Sequence, residues 1–237
     1  MSSPEVLTFS IAILWCVAGY GSYYALGRNR KLLKLFGTPC KLLDSQGNQV
    51  LLQRVLGFLI LGLSSALIIV FLPDRSPGDY GLNFRFTAPP SWWSWLLFPL
   101  ALILSYMTAR TPANLQQYPQ IRTHAWTPAM LSVSGISWVL FLVGYEFLFR
   151  GFVFFASMEI MGPAAAVVLN IALYAAAHFH KGPAEILGSI PVGILFCYLT
   201  LLTGNIWTAV ILHAVMALSN EWFSLRAHPE MSLSKVR

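Results

Sequence analysis

Charge is what this chain has least of. Only 10% of its residues are Asp, Glu, Lys or Arg and 57% are hydrophobic, against about 25% and about 45–50% in soluble domains. With a mean hydropathy of +0.65, a water-soluble fold is excluded. Cysteine is nearly absent as well. Cys16 and Cys197 lie in apolar runs and Cys40 in a basic loop, none with a CxxC partner, so all three read as unpaired. No HExxH pair and no cysteine ligand set occurs, and neither a metal nor another cofactor is expected. No Arg-aromatic RNA motif appears, which sets nucleic acid aside as a partner. Repeats and low-complexity stretches are missing too. The opening MSSPEVLTF lacks the basic region and cleavage site of a signal peptide, so the first apolar run reads as a retained span.

Long apolar runs are what the chain does have. A span takes roughly 20 mostly apolar residues, which places helices near 6–26, 50–72, 92–109, 130–157, 163–180, 184–203 and 205–224. The expected fold is all-α, a polytopic transmembrane bundle of about seven spans, with no separate soluble module. Pro73 with Asp74, Pro89-Pro90, Arg110 with Pro112, Gly162-Pro163, Gly182-Pro183 and Gly204-Asn205 supply the breaks. Trp92, Trp93, Trp95, Trp207 and Trp222 suit the aromatic belts of the two interfaces.

Basic residues set the orientation. Arg28, Arg30, Lys31, Lys34, Lys41 and Arg54 gather around the first loop, Arg110 and Arg122 in the third, Lys181 in the fifth, and Arg226, Lys235 and Arg237 in the tail. The opposite loops hold Arg75 and Arg85, offset by Asp74 and Asp79. The positive-inside rule then puts the N-terminus outside and the C-terminus in the cytoplasm. The net charge of +6 is therefore a topology signal with contact to anionic lipid, the bilayer being one partner.

Ionisable groups inside spans are rare and mark functional sites by default. Here they fall in the last four helices, and the first three offer nothing comparable. Glu146 and Arg150 share a face of the fourth helix in GYEFLFRG; His178 and His180 end the fifth, Glu185 begins the sixth, and His213 lies mid-seventh with Asn220 two turns later. A functional four-helix core at 129–225 is expected, supported by three helices and loops at 1–128 and followed by a cytoplasmic tail at 226–237. A buried carboxylate beside imidazoles is suited to activate water as a general base, and further imidazole or carboxamide groups to polarise an amide carbonyl. Each residue also has a plainer use. Glu146 and Arg150 can neutralise each other as a structural pair, His180 beside Lys181 can be interfacial, and Glu185 can complement a helix dipole. Asn205 ends a turn.

Over roughly 130–224 the pattern resembles the CPBP family, also called the Abi or CAAX-protease family. Its EExxxR motif is answered by YEFLFRG, Tyr145 to Gly151; its aromatic-then-His motif by YAAAH, Tyr174 to His178; and its last His motif by HAVMALSN, His213 to Asn220, after a family-like TGNIW at Thr203 to Trp207. The stretch HFHKGPAE, His178 to Glu185, resembles a bacterial subgroup that keeps a single glutamate. The resemblance implies an intramembrane, metal-independent endopeptidase in a bacterial inner membrane, acting on a membrane-associated peptide or protein. In it Glu146 and His178 would activate water, His213 and Asn220 would form the oxyanion site, Arg150 would support, and Glu185 would be a candidate second carboxylate. This chain departs from the pattern twice. Tyr145 stands where the first glutamate is usual, which hands the base role to Glu146; and Ala217 is the fourth residue after His213, leaving Asn220 as the nearest carboxamide. Two other readings stay open: a non-catalytic member that binds or regulates a partner protein, and a proton-coupled transporter with Glu146 as relay. The substrate and the oligomeric state are not legible.

Overall fold

The computed structural model describes residues 3–36, 40–88 and 92–234; Pro89-Pro90 of the second loop and Lys235 and Arg237 of the tail lie outside them. The described residues are overwhelmingly helical. In chain order they form α1 (Ser3–Gly27), α2 (Arg30–Phe36), α3 (Ser45–Gly57), a π-helical stretch (Phe58–Leu63), α4 (Ser64–Val70), α5 (Leu97–Thr108), α6 (Pro112–Gln117), α7 (Pro128–Glu146), a second π-helical stretch (Phe147–Val153), α8 (Phe154–Ala177), α9 (Pro183–Thr203) and α10 (Trp207–Ala227). Short 3-10 turns occupy Pro77–Tyr80, Trp92–Leu96 and Phe179–Lys181. The only sheet among these residues is one parallel pair, β1 (Ala125–Trp126) with β2 (Ser232–Leu233).

Among the described residues, four helical runs are long and apolar enough to cross a membrane: Pro4–Gly27, Ser45–Val70, Pro128–Ala177 and Pro183–Thr203, with Trp92–Thr108 a shorter apolar run. The third is interrupted at Gly162, whose φ of 75° and ψ of 170° break the helix ahead of Pro163. The glycine tolerates that backbone because it has no Cβ. The Gly162-Pro163 signal therefore marks a real break. The second span starts at Ser45 rather than 50, and α10 runs on to Ala227. Trp92 and Trp95 are exposed on their 3-10 turn, as interfacial tryptophans should be.

The chain packs as two compact units, each built from three separated stretches. The first comprises Met1–Tyr23, Phe58–Pro90 and Val143–Val210. Its core gathers Ala12, Ile69, Leu72, Tyr80, Phe147, Phe152, Ala156, Ile206 and Val210. The two glycines of GYEFLFRG are explained by close approach. A Cβ on Gly62 would stand 2.6 Å from Gly144 Cα, and one on Gly151 would stand 2.7 Å from Tyr80 O. Small residues let helices touch backbone to backbone, as at many membrane helix crossings. TGNIW has a structural use in the same unit, fastening the loop before it. Thr87 N donates to Thr203 O at 2.9 Å, Asn205 Nδ2 to Arg85 O at 3.0 Å, and Trp207 Nε1 to Asn83 O at 2.9 Å.

The second unit comprises Tyr24–Gly57, Ser91–Leu142 and Ile211–Arg237. Leu43, Val50, Ile121, Trp126, Met130 and Leu225 form one cluster, Tyr118, Trp138 and Leu142 another. This unit overturns two expectations. Arg54 is not a loop charge: it sits in α3, only 3% exposed, and pairs with Glu221 at 3.3 Å. The first three spans therefore do carry an internal ionisable residue, and its partner lies 167 positions away. Its guanidinium donates to Ser134 O at 2.9 Å, Ser134 Oγ at 3.0 Å, Ser137 Oγ at 3.2 Å and Gln120 Oε1 at 3.1 Å, and it stacks 4.3 Å over Trp138. A charge buried this deeply needs such partners, and here both terminal nitrogens of the guanidinium have them.

Candidate active site

GYEFLFRG lies where α7 passes into the π-helical Phe147–Val153. A π turn leaves the regular bonding ladder locally mismatched and recurs at functional sites. One carbonyl there is met from another helix: Asn170 Nδ2, wholly buried in α8, donates to Phe149 O at 2.6 Å. Cys197 Sγ of α9 closes on Asn170 Oδ1 at 3.3 Å.

Glu146 and Arg150 are both 0% exposed, with Arg150 Nη1 3.3 Å from Glu146 Oε2. This contact has charge-pair distance but no hydrogen-bond alignment. Aromatic rings surround the guanidinium, Tyr174 at 3.9 Å and Phe196 at 5.3 Å from ring centroid to Arg150 Cζ. Desolvated cation–π contacts are worth about 2 kcal/mol or more. Gly193 of α9 leaves the space: a Cβ there would lie 3.3 Å from Tyr174 Cδ1 and 3.6 Å from Arg150 Nη2.

His178 ends α8 and is buried, its ring 4.7 Å from that of Tyr174 and 6.4 Å from that of Tyr145. Its Nδ1 lies 2.8 Å from Tyr174 O. A carbonyl only accepts, so Nδ1 carries the proton and Nε2 is the basic nitrogen of the neutral ring. Tyr145 is buried in an aromatic nest with Phe149 at 4.8 Å, Tyr174 at 5.8 Å and Tyr20 at 6.5 Å. Tyr20 Oη in turn donates to Ala177 O at 2.7 Å, tying α1 to the turn before His178. The first unit thus gathers Tyr145, Glu146, Arg150, Tyr174 and His178 around one set of rings. Asn170, Cys197 and Tyr20 belong to this neighbourhood and were missed in the sequence. Asn170 had a signal, as a lone carboxamide inside the apolar VVLNIALY.

The remaining candidates are placed as follows. His180 is exposed on the Phe179–Lys181 turn, and Glu185 is half-buried in the first turn of α9, 4.0 Å from Lys181 Nζ. His213 and Asn220 are half-buried residues of α10 within the second unit. No group of three His, Cys, Asp or Glu side chains among the described residues is arranged to hold a metal ion.

The stretch from Ala125 to Ser219 matches the family described as type II CAAX prenyl endopeptidase, Rce1-like. The match to this Rce1-like model covers residues 125–219, less than half of the chain. Neither a curated protein nor a solved structure matches the chain. The Rce1-like domain takes in Glu146, Arg150, His178, Glu185 and His213, and it ends one residue before Asn220. The matched family is of the CAAX-protease type, and together with the long apolar helices the match supports an integral membrane protein.

Proposed function

We propose that the protein is an intramembrane endopeptidase that cleaves a membrane-associated peptide or protein, with Glu146 and His178 activating the attacking water. The observation that carries this reading is the shared burial of Glu146, Arg150, Tyr174 and His178 in one aromatic nest of the Rce1-like domain. A water lodged there would meet two acceptors, the Glu146 carboxylate and His178 Nε2. It donates one hydrogen to each and so presents its oxygen lone pair to a peptide carbonyl. As the oxygen attacks, Glu146 takes the proton and later returns it to the leaving amine. Arg150 supplies the counter-charge that makes a carboxylate tolerable at this depth. His213 takes the oxyanion role by its place in the motif. The family resemblance supports a bacterial inner membrane, and the distribution of basic residues supports a cytoplasmic C-terminus.

The complete burial of Glu146 favours a second reading, in which the domain binds a partner and cleaves nothing. The two part in a reconstituted assay. Purified protein in liposomes is given membrane-tethered reporter peptides, prenylated at a C-terminal cysteine or unmodified. Cleavage by the wild-type protein that is lost in Glu146→Gln, His178→Ala and His213→Ala, each still folded, supports the peptidase. A wild-type protein that cleaves none of them, or a Glu146→Gln variant that cleaves normally, removes it.

A further inference from the structure

The second unit contains a cleft of about 700 Å³ on the side where α1 ends and α3 begins. Arg30, Lys34 and Arg122 line it together with amide side chains that include Gln46, Gln49 and Gln53, and no carboxylate among the described residues does. Its walls are tied across. Gln46 Nε2 donates to Gln120 O and Arg122 N to Gln46 Oε1, both at 2.9 Å, while Arg122 Nη1 donates to Leu115 O at 2.9 Å. Gln120 also reaches inward to the buried Arg54, accepting from it at 3.1 Å. Burial lowers the Arg122 guanidinium from its ordinary pKa, against the raising pull of Glu221.

We propose that this cleft binds a phosphate-bearing anion, supplied by the headgroup of an anionic phospholipid. Three cations set among neutral amide donors, with no carboxylate in the lining, form a field that selects a compact anion. Depth points to a lipid as the source. The 24-residue span Pro4–Gly27 ends here and the 26-residue span Ser45–Val70 starts here. The two are joined at that level, for Gln49 Nε2 donates to Gly27 O, and a Cβ on Gly27 would touch Gln53 Cγ at 3.0 Å. Headgroup phosphates lie at such span ends. Leu35, beside Lys34, is 78% exposed, an apolar contact that an acyl chain can use and a free phosphate cannot. Arg30 and Lys34 stand four apart on α2, hence on one face, while the neighbouring Lys31 does not line the cleft. The site does not depend on the protein being a peptidase.

The test uses the full chain, delipidated in neutral detergent, with binding read by thermal stabilisation. The probes are short-chain phosphatidylglycerol, phosphatidylcholine of the same acyl length, and inorganic phosphate. Phosphatidylglycerol should stabilise saturably and phosphatidylcholine should not. The double variant R30Q/K34Q should bind roughly thirtyfold more weakly, while R28Q/K31Q, which loses the same charge outside the cleft, should bind as the wild type does. All four substituted residues are exposed, so the fold is not at stake. Equal weakening in both doubles means diffuse attraction to anionic surfaces and overturns the site. So does stabilisation by phosphatidylcholine that matches phosphatidylglycerol. Inorganic phosphate acting as tightly as the lipid would keep the anion site and overturn its lipid source.

Discussion

Two buried arginine–glutamate pairs, one in each unit, have the same 3.3 Å separation and opposite surroundings. Arg54 of the second unit is held by five hydrogen bonds, to Ser134 O, Ser134 Oγ, Ser137 Oγ, Gln120 Oε1 and Glu221 Oε1, and by the face of Trp138. Arg150 of the first unit contacts Glu146 without hydrogen-bond alignment and relies on the rings of Tyr174 and Phe196. A network that satisfies most of its polar atoms, here all but Arg54 Nε and Glu221 Oε2, rigidifies its surroundings and fixes one packing. A pair held by rings, on a π-helical turn and in the same aromatic nest as a buried histidine, is the arrangement we propose for chemistry. The first arrangement is a tie between distant segments; the second is the candidate site.

Variants that separate these roles fall in order of size. His178→Ala should lower cleavage by roughly 10²–10⁴-fold, the usual worth of a positioned acid–base group, with little change in thermal stability. Rates on a tethered reporter and a melting curve of the same preparation check both halves. Arg54→Met should do the reverse. Leaving Glu221 buried and unpaired costs about 3–5 kcal/mol of stability, visible in denaturation, while the folded fraction still cleaves. Gly193→Ala sharpens the contrast, because its methyl pushes Tyr174 toward Arg150; overpacking of this kind costs about 1–3 kcal/mol and should depress cleavage as well. Glu185→Gln should have the smallest effect. Its pair with Lys181 is half-exposed and 4.0 Å long, and such surface pairs contribute about 0–1 kcal/mol. A Glu185→Gln variant that lost cleavage would move the carboxylate role away from Glu146.

The two pairs also show what a sequence can disclose. Glu146 and Arg150 are four apart in one apolar run, so their meeting is visible to anyone who counts helical turns. The helical bundle was legible for the same reason, since span length and Gly-Pro breaks are local properties. Arg54 and Glu221 are 167 positions apart, and nothing local distinguishes Arg54 from the loop charges that precede it. Asn170 was passed over because an uncharged carboxamide draws less notice than a charge, although it donates to Phe149 O of the π-helical stretch. The clustering of Tyr145 with Tyr20, Phe149 and Tyr174 gives the tyrosine at the glutamate position a packing use that the motif alone could not show.

The account turns on the claim that Glu146 is a chemical group and Glu221 a structural one. Glu146→Gln and Glu221→Gln, purified in parallel and assayed for both melting and cleavage of a membrane-tethered peptide, test it most directly. Both variants should melt earlier, since each leaves a buried arginine without its counter-charge; below their melting points Glu146→Gln should lose cleavage while Glu221→Gln cleaves at the wild-type rate. A Glu146→Gln protein that cleaves as fast as the wild type would contradict the account.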